Sequence, residues 1–181
     1  SKSKDINFVF YSRLHKIKGL EIILDYIKSN DLKINLDIYG FIEDKIYWDR
    51  CYEKIKSLDN VNYIGTINDG KINLLKDKYT FFIAPTLTEN FGHAIIEMLS
   101  LGFIPIISKN TTPFEKLTSK FIGLNFDLYN IDDFVSVIKK INLMSENEIF
   151  KLKSNVNHIF VKLNKQKQKE VNKYIKMLNS I

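Results

Sequence analysis

At 181 residues the chain fits one compact domain with a full core. Its 45% hydrophobic and 27% charged residues exclude the polar, highly charged composition of a disordered chain. A net charge of +6 and a pI of about 9.2 admit nucleic acid, anionic lipid or a phosphorylated ligand as partner, but Arg13 and Arg50 are the only arginines, so much of the lysine is compositional background.

The opening Ser1-Lys2-Ser3-Lys4-Asp5 has neither an initiator Met nor the apolar run of a signal peptide, which points to a processed or excised chain. A first β-rich run covers Ile6 to Ser12, and a helical stretch follows from Gly19 to Lys28. A second strand, Ile34 to Tyr39, leads into a helix from Lys45 to Ser57. That helix carries Cys51, the only cysteine, so neither an internal disulfide nor a multi-cysteine metal site can form, and Cys51 is assigned no chemical role. Trp48 on the same helix reads as packing.

A third strand, Val61 to Ile64, precedes a short helix from Lys71 to Lys76. Then come a strand from Thr80 to Ala84, a helix from His93 to Leu101, and strands at Ile104 to Ile107 and Phe121 to Leu124. Two or three helices follow from Ile131 onward. Gly102 sits where a helix C-terminus is expected, and Asp132 with Asp133 suits a helix start. Near the end, Val171, Tyr174, Ile175 and Leu178 form one apolar stripe, and the lysines from Lys162 to Lys176 read as a solvated face. The longest apolar candidate, Ala94 to Ile107, is broken by Glu97, Gly102 and Pro105, so no membrane-spanning helix is expected. Apolar strands alternating with helices predict a single α/β domain over 1–181: a doubly wound parallel sheet of about six strands with helices on both faces.

Two segments carry chemistry. In Ala84-Pro85-Thr86-Leu87-Thr88-Glu89-Asn90-Phe91-Gly92-His93, a strand runs through a polar loop into a helix. Ligands of open α/β sheets bind at strand carboxyl ends, and the first N–H groups of a helix are unpaired donors, so Phe91-Gly92 offers a phosphate site. Glu97, just over one turn beyond Gly92, has the two acceptor oxygens that paired ribose hydroxyls require. Glu89 lies at the mouth of the same cleft, where a carboxylate can bond sugar hydroxyls or stabilise positive charge at a sugar carbon. From spacing alone, ordinary surface acids are the first reading of the two glutamates. In Tyr11-Ser12-Arg13-Leu14-His15-Lys16-Ile17-Lys18-Gly19, Arg13 and Lys18 follow the first strand and can grip a diphosphate, the guanidinium as a fork and the ammonium as a point charge; a solvated loop reads the same way. His15 is placed at the edge of the phosphate site, His93 reads as a cap or lining residue, and His158 has no visible partner. The three histidines lack metal-ligand spacing.

Together, and in this order, the two segments resemble the second domain of retaining GT-B glycosyltransferases, particularly glycosyltransferase family 4. The similarity spans about Phe8 to Glu115, with Glu89-Asn90-Phe91-Gly92 and Glu97 as its specific part. The resemblance implies a Rossmann-like domain in which Arg13 and Lys18 hold the donor diphosphate and Glu97 the ribose. It places Glu89 with Asn90 and the Phe91 and Gly92 backbone near the sugar, sets Gly40 and Gly65 as the glycines flanking the nucleotide cleft, and puts the main chain of Ile67 against the base. Ser12 stands where a glycine is usual, and Ser108-Lys109-Asn110-Thr111-Thr112-Pro113 replaces a glycine pair, with the Thr111 or Thr112 hydroxyls as substitutes.

The implied activity is transfer of a sugar from a nucleoside diphosphate donor, a UDP-sugar ahead of a GDP-sugar, with retention at the anomeric carbon. It needs no metal or other cofactor, because Arg13 and Lys18 offset the diphosphate charge. An N-terminal domain absent from this sequence would hold the acceptor, a glycan or lipid-linked sugar. The expected setting is polysaccharide, lipopolysaccharide or glycolipid synthesis in the cytoplasm, with peripheral membrane contact and no nucleic-acid partner. The rival reading is a noncatalytic nucleotide-sugar-binding module.

Overall fold

Strand β1 (Asn7–Tyr11) buries Phe8, Val9 and Phe10 in succession, and a strand apolar on both faces is stable only when both are covered. It is joined by β2 (Asn35–Tyr39), β3 (Val61–Gly65), β4 (Phe81–Ala84), β5 (Ile104–Ser108) and β6 (Leu124–Phe126) in one six-stranded sheet of order β3-β2-β1-β4-β5-β6, every pairing parallel. The computed structural model describes residues 6–89, 92–114 and 122–161. Helices α1 (Leu20–Ser29), α2 (Lys45–Ile55), α3 (His93–Ser100), α4 (Ile131–Asn142) and a helical stretch over 146–161 complete the Rossmann-like α/β architecture, with helices on both sides of the sheet.

Helix α1 packs against α2 and α4, while α3 packs on β5. The ends follow local chemistry. Asp44 accepts the Tyr47 N–H to start α2, and Asn130 accepts the Asp133 N–H to start α4, with Asp132 and Asp133 in its first turn. After α3, Gly102 takes a φ of 84°; its N–H reaches the Leu99 carbonyl and that of Phe103 the Met98 carbonyl, the paired closure of a Schellman turn. Trp48 packs its ring 4.4 Å from that of Tyr63, and Cys51 is fully buried, which pushes its thiol up to about 11.

Three expectations need correction or relocation. The last strand is Leu124–Phe126, a few residues beyond the expected Phe121 to Leu124, because Phe126 is the ring that fits against Phe134, 5.1 Å away on α4. The stretch expected as a helix at Lys71 to Lys76 is a 3-10 segment, Asp69–Asp77. The apolar stripe from Val171 to Leu178 lies outside the described residues.

Pro105 sits inside the sheet between β4 and β6, a position proline usually avoids because it cannot donate to the ladder. Here the Ile104 N–H points to Thr80 on the β4 side, so the missing donor of Pro105 faces β6, whose pairing begins one residue later at Ile106. On the β2 side, the Asp37 carboxylate is buried and accepts from the Lys78 ammonium at 2.6 Å, the Tyr79 hydroxyl at 2.5 Å and the Asn62 amide at 3.1 Å. Burial raises its pKa, but these three donors outweigh burial and hold it below the ordinary value.

Candidate functional site

Between β1 and β4 the strand order reverses, so their following loops part and leave a crevice at the carboxyl edge of the sheet. That crevice is a cleft of about 400 Å³ whose lining includes Arg13, Lys18, Gly40, Ile67, Glu89 and Glu97. All six were singled out from the sequence, and they come from the loops after β1, β2, β3 and β4 and from α3. Gly92 adjoins them as the N-cap of α3. Asn90 and Phe91 lie outside the described residues.

The loops are stitched to one another by main-chain bonds. The Leu14 N–H donates to the Phe41 carbonyl, and the Glu43 and Asp44 N–H groups donate to the Leu14 carbonyl, fixing the β1 loop to the β2 loop. The Leu87 N–H and the Thr86 hydroxyl both reach the Ile17 carbonyl, fixing the β4 loop to the β1 loop. Gly40, at φ 154°, passes so close to the β1 loop that a Cβ there would sit 1.7 Å from the Ser12 carbonyl oxygen. A glycine is therefore a steric requirement where the two loops cross.

The Glu89 carboxylate is the polar centre of the cleft. Its Oε2 accepts from the Lys18 ammonium at 2.5 Å and its Oε1 accepts from the Gly92 N–H at 3.1 Å, with both charged side chains largely buried. Burial pushes its pKa up, but the Lys18 hydrogen bond, the Gly92 N–H and the nearby charges of Lys18 and Arg13 outweigh that effect and hold it below the usual carboxylate range. Glu89 is thus an anion at neutral pH and a side-chain acceptor at the start of α3. Glu97 is half-buried on the cleft side of α3, and among the described residues nothing pairs with its carboxylate.

Sequence reasoning missed Glu43, whose carboxylate forms an ion pair with the Arg13 guanidinium. No local pattern marks it, since the pairing spans 30 residues. It also missed how the loop after β5 is used. The buried Ser108 hydroxyl bonds to the Thr86 carbonyl and to the Thr111 hydroxyl, the Thr111 carbonyl accepts the Glu89 N–H at 2.8 Å, and the Thr112 hydroxyl accepts the Phe114 N–H. The Thr111 hydroxyl donates to the Ser108 carbonyl within the loop, the Thr112 hydroxyl accepts a main-chain N–H there, and the loop in turn holds Glu89. His15 caps the turn before α1 by accepting the Ile17 N–H, and His93 and His158 are exposed.

A sequence profile described as Glycosyl transferases group 1 matches residues 1–156. Among curated proteins, the chain is 26% identical over 138 residues to an uncharacterized 41.2 kDa protein in the cps region of Klebsiella pneumoniae, covering 76% of this chain and 36% of that protein. It is 27% identical over 111 residues to the phosphatidylinositol N-acetylglucosaminyltransferase gpi3 subunit of Schizosaccharomyces pombe, covering 59% of this chain and 24% of that one. Among solved structures, a glycosyltransferase from Rickettsia africae superposes with a TM-score of 0.79 at 18% identity over 97% of this chain and 48% of its own. Anabaena HepE in complex with UDP and glucose superposes with a TM-score of 0.73 at 18% identity, over 93% of this chain and 49% of its own. The chain therefore spans about half the length of the solved proteins and about a third of the Klebsiella relative. The structural likeness carries the fold; the profile match over most of the sequence carries the family, and this chain belongs to the glycosyl transferases group 1 family.

Proposed function

We propose that this chain is the donor-binding domain of a retaining, two-domain GT-B glycosyltransferase of the family 4 kind, which transfers a hexose from a nucleoside diphosphate sugar to a glycan or lipid-linked acceptor. The observation that carries the reading is that two distant segments bring Arg13, Lys18, Glu89 and Glu97 to one cleft at the reversal of strand order. Arg13 and Lys18 hold the diphosphate and neutralise it as the leaving group. Glu97 accepts from the ribose hydroxyls, Gly40 flanks the nucleotide cleft, and the main chain of Ile67 meets the base. Glu89 meets the sugar together with Asn90 and the Phe91 and Gly92 backbone. As the bond from the anomeric carbon to the diphosphate oxygen breaks, the electron pair leaves with the phosphate, where fixed cations stabilise it, while Glu89 faces the positive charge on the sugar.

The UDP and glucose bound by Anabaena HepE support a UDP-sugar as donor, ahead of a GDP-sugar. The half-length coverage of the solved relatives supports a second, acceptor-binding domain. The gpi3 relative, a subunit of a phosphatidylinositol N-acetylglucosaminyltransferase, supports a setting in glycolipid or cell-surface polysaccharide synthesis. The enzyme would act in the cytoplasm at the membrane face, and no described helix is long and apolar enough to cross a membrane.

A thermal-shift titration with UDP, GDP and ADP on the wild type and on Glu97→Ala tests the reading. At tenfold excess over its Kd, a true ligand adds about 1.4 kcal/mol, roughly 3–5 °C for a domain of this size. UDP should shift the wild type and leave the variant unmoved; equal shifts in both would remove Glu97 from the site, and no shift with any nucleotide would remove the site itself.

A further inference from the structure

The donor reading leaves Glu43 without a role, although it makes the ion pair with Arg13. Its position is built into the fold. The Glu43 N–H donates to the Leu14 carbonyl at 3.3 Å, the Asp44 N–H donates to the same oxygen at 3.2 Å, Leu14 donates to Phe41 at 2.9 Å, and Leu14 bridges to Ile42. Three main-chain hydrogen bonds around one residue of the β1 loop, two of which make up that bridge, thus bring the Glu43 carboxylate beside Arg13.

Two features decide what the pair does. The Arg13 side chain is 50% exposed and that of Glu43 34%, so water can replace either partner and the pair is reversible. A carboxylate in contact with a guanidinium also cancels much of the positive charge that an anion in the cleft would meet. Lys18 is held likewise by Glu89. Before donor arrives, each of the two cations of the cleft is therefore matched to its own carboxylate.

We infer that Glu43 is the resting counter-ion of Arg13 and competes with the donor diphosphate for it, so that this residue tunes donor affinity downward. The inference rests on the donor-site reading above. Glu43 touches no reacting atom; it acts through Arg13, as a positioning residue that holds the guanidinium until a more highly charged anion takes it. A diphosphate carries more negative charge than a carboxylate and matches the guanidinium fork, so it wins the exchange.

Calorimetric titration of UDP, and of pyrophosphate as a base-free diphosphate, into the full chain and its Glu43→Gln, Arg13→Gln and doubly substituted forms tests this. Glu43→Gln should tighten both ligands about two- to fivefold, the range an exposed ion pair supplies. The gain should shrink between about 50 mM and about 500 mM salt, as screening weakens the pair, and should be largely lost in the Arg13→Gln background. A merely structural role would not produce tighter binding. If UDP binds and Arg13→Gln weakens it while Glu43→Gln has no effect or also weakens it, the counter-ion role is overturned and the donor site stands. If UDP does not bind, or Arg13→Gln leaves its affinity unchanged, the donor-site reading fails and this inference falls with it.

Discussion

Replacing Lys18 by Met removes the ammonium from Glu89 while keeping most of the aliphatic volume. The Lys18 and Glu89 side chains are only 12% and 16% exposed, so the variant leaves a nearly buried carboxylate without its cation. Breaking a buried ion pair from one side costs about 3–5 kcal/mol. The Gly92 N–H still donates to Glu89, and residual solvent access helps, which brings the expected loss to about 2–3 kcal/mol. For a domain of this size that lowers Tm by about 4–12 °C. The pH dependence gives an independent check. Glu89 has a folded-state pKa below its unfolded value, so its contribution is present above the unfolded carboxyl range, near about 4.3, and is lost as pH falls through the folded value. Without Lys18 the folded value rises toward or above the unfolded one, Glu89 supplies less of the acid decline, and the gap between the two proteins narrows in acid. Thermal unfolding followed by circular dichroism from about pH 3 to pH 8 measures both effects. Equal Tm within about 1 °C at neutral pH, or a gap that does not change with pH, would refute the reasoning.

Asp37→Asn should cost about 2–3 kcal/mol, less than a fully buried pair because Lys78 is half exposed, and should remove the part of the acid decline that Asp37 supplies; guanidinium titrations at a series of pH values would show the difference shrinking below the ordinary carboxyl pKa and vanishing below the depressed folded value. Gly40→Ala would force the β1 and β2 loops apart, since its Cβ would meet the Ser12 carbonyl, and should cost about 2–4 kcal/mol and weaken UDP; unchanged Tm would mean that the loops can move without penalty.

Much of the fold was legible because strands buried on both faces leave continuous apolar runs, as in Phe8-Val9-Phe10 and Ile104 to Ile107, and helix ends carry local chemistry, as at Asp132 and Gly102. The last strand was misplaced because an apolar run does not say which of its residues faces a partner; the Phe126 to Phe134 contact decides that. The tight 3-10 turns after β3 left no period to distinguish them from an α-helix.

The site divides in the same way. Arg13, Lys18, Glu89 and Glu97 could be picked out because phosphate and hydroxyl chemistry needs those groups at the ends of strands and the starts of helices, which are local features of the chain. The sequence by itself determined those groups and the strand–loop–helix units that carry them. Only the tertiary structure decided which loops meet: that Lys18 closes on Glu89, that Arg13 closes on Glu43, and that Ser108 and Thr111 brace the glutamate loop. These pairings follow from the strand order of the sheet, which sets β1 between β2 and β4, and that order is the outcome of packing the whole core.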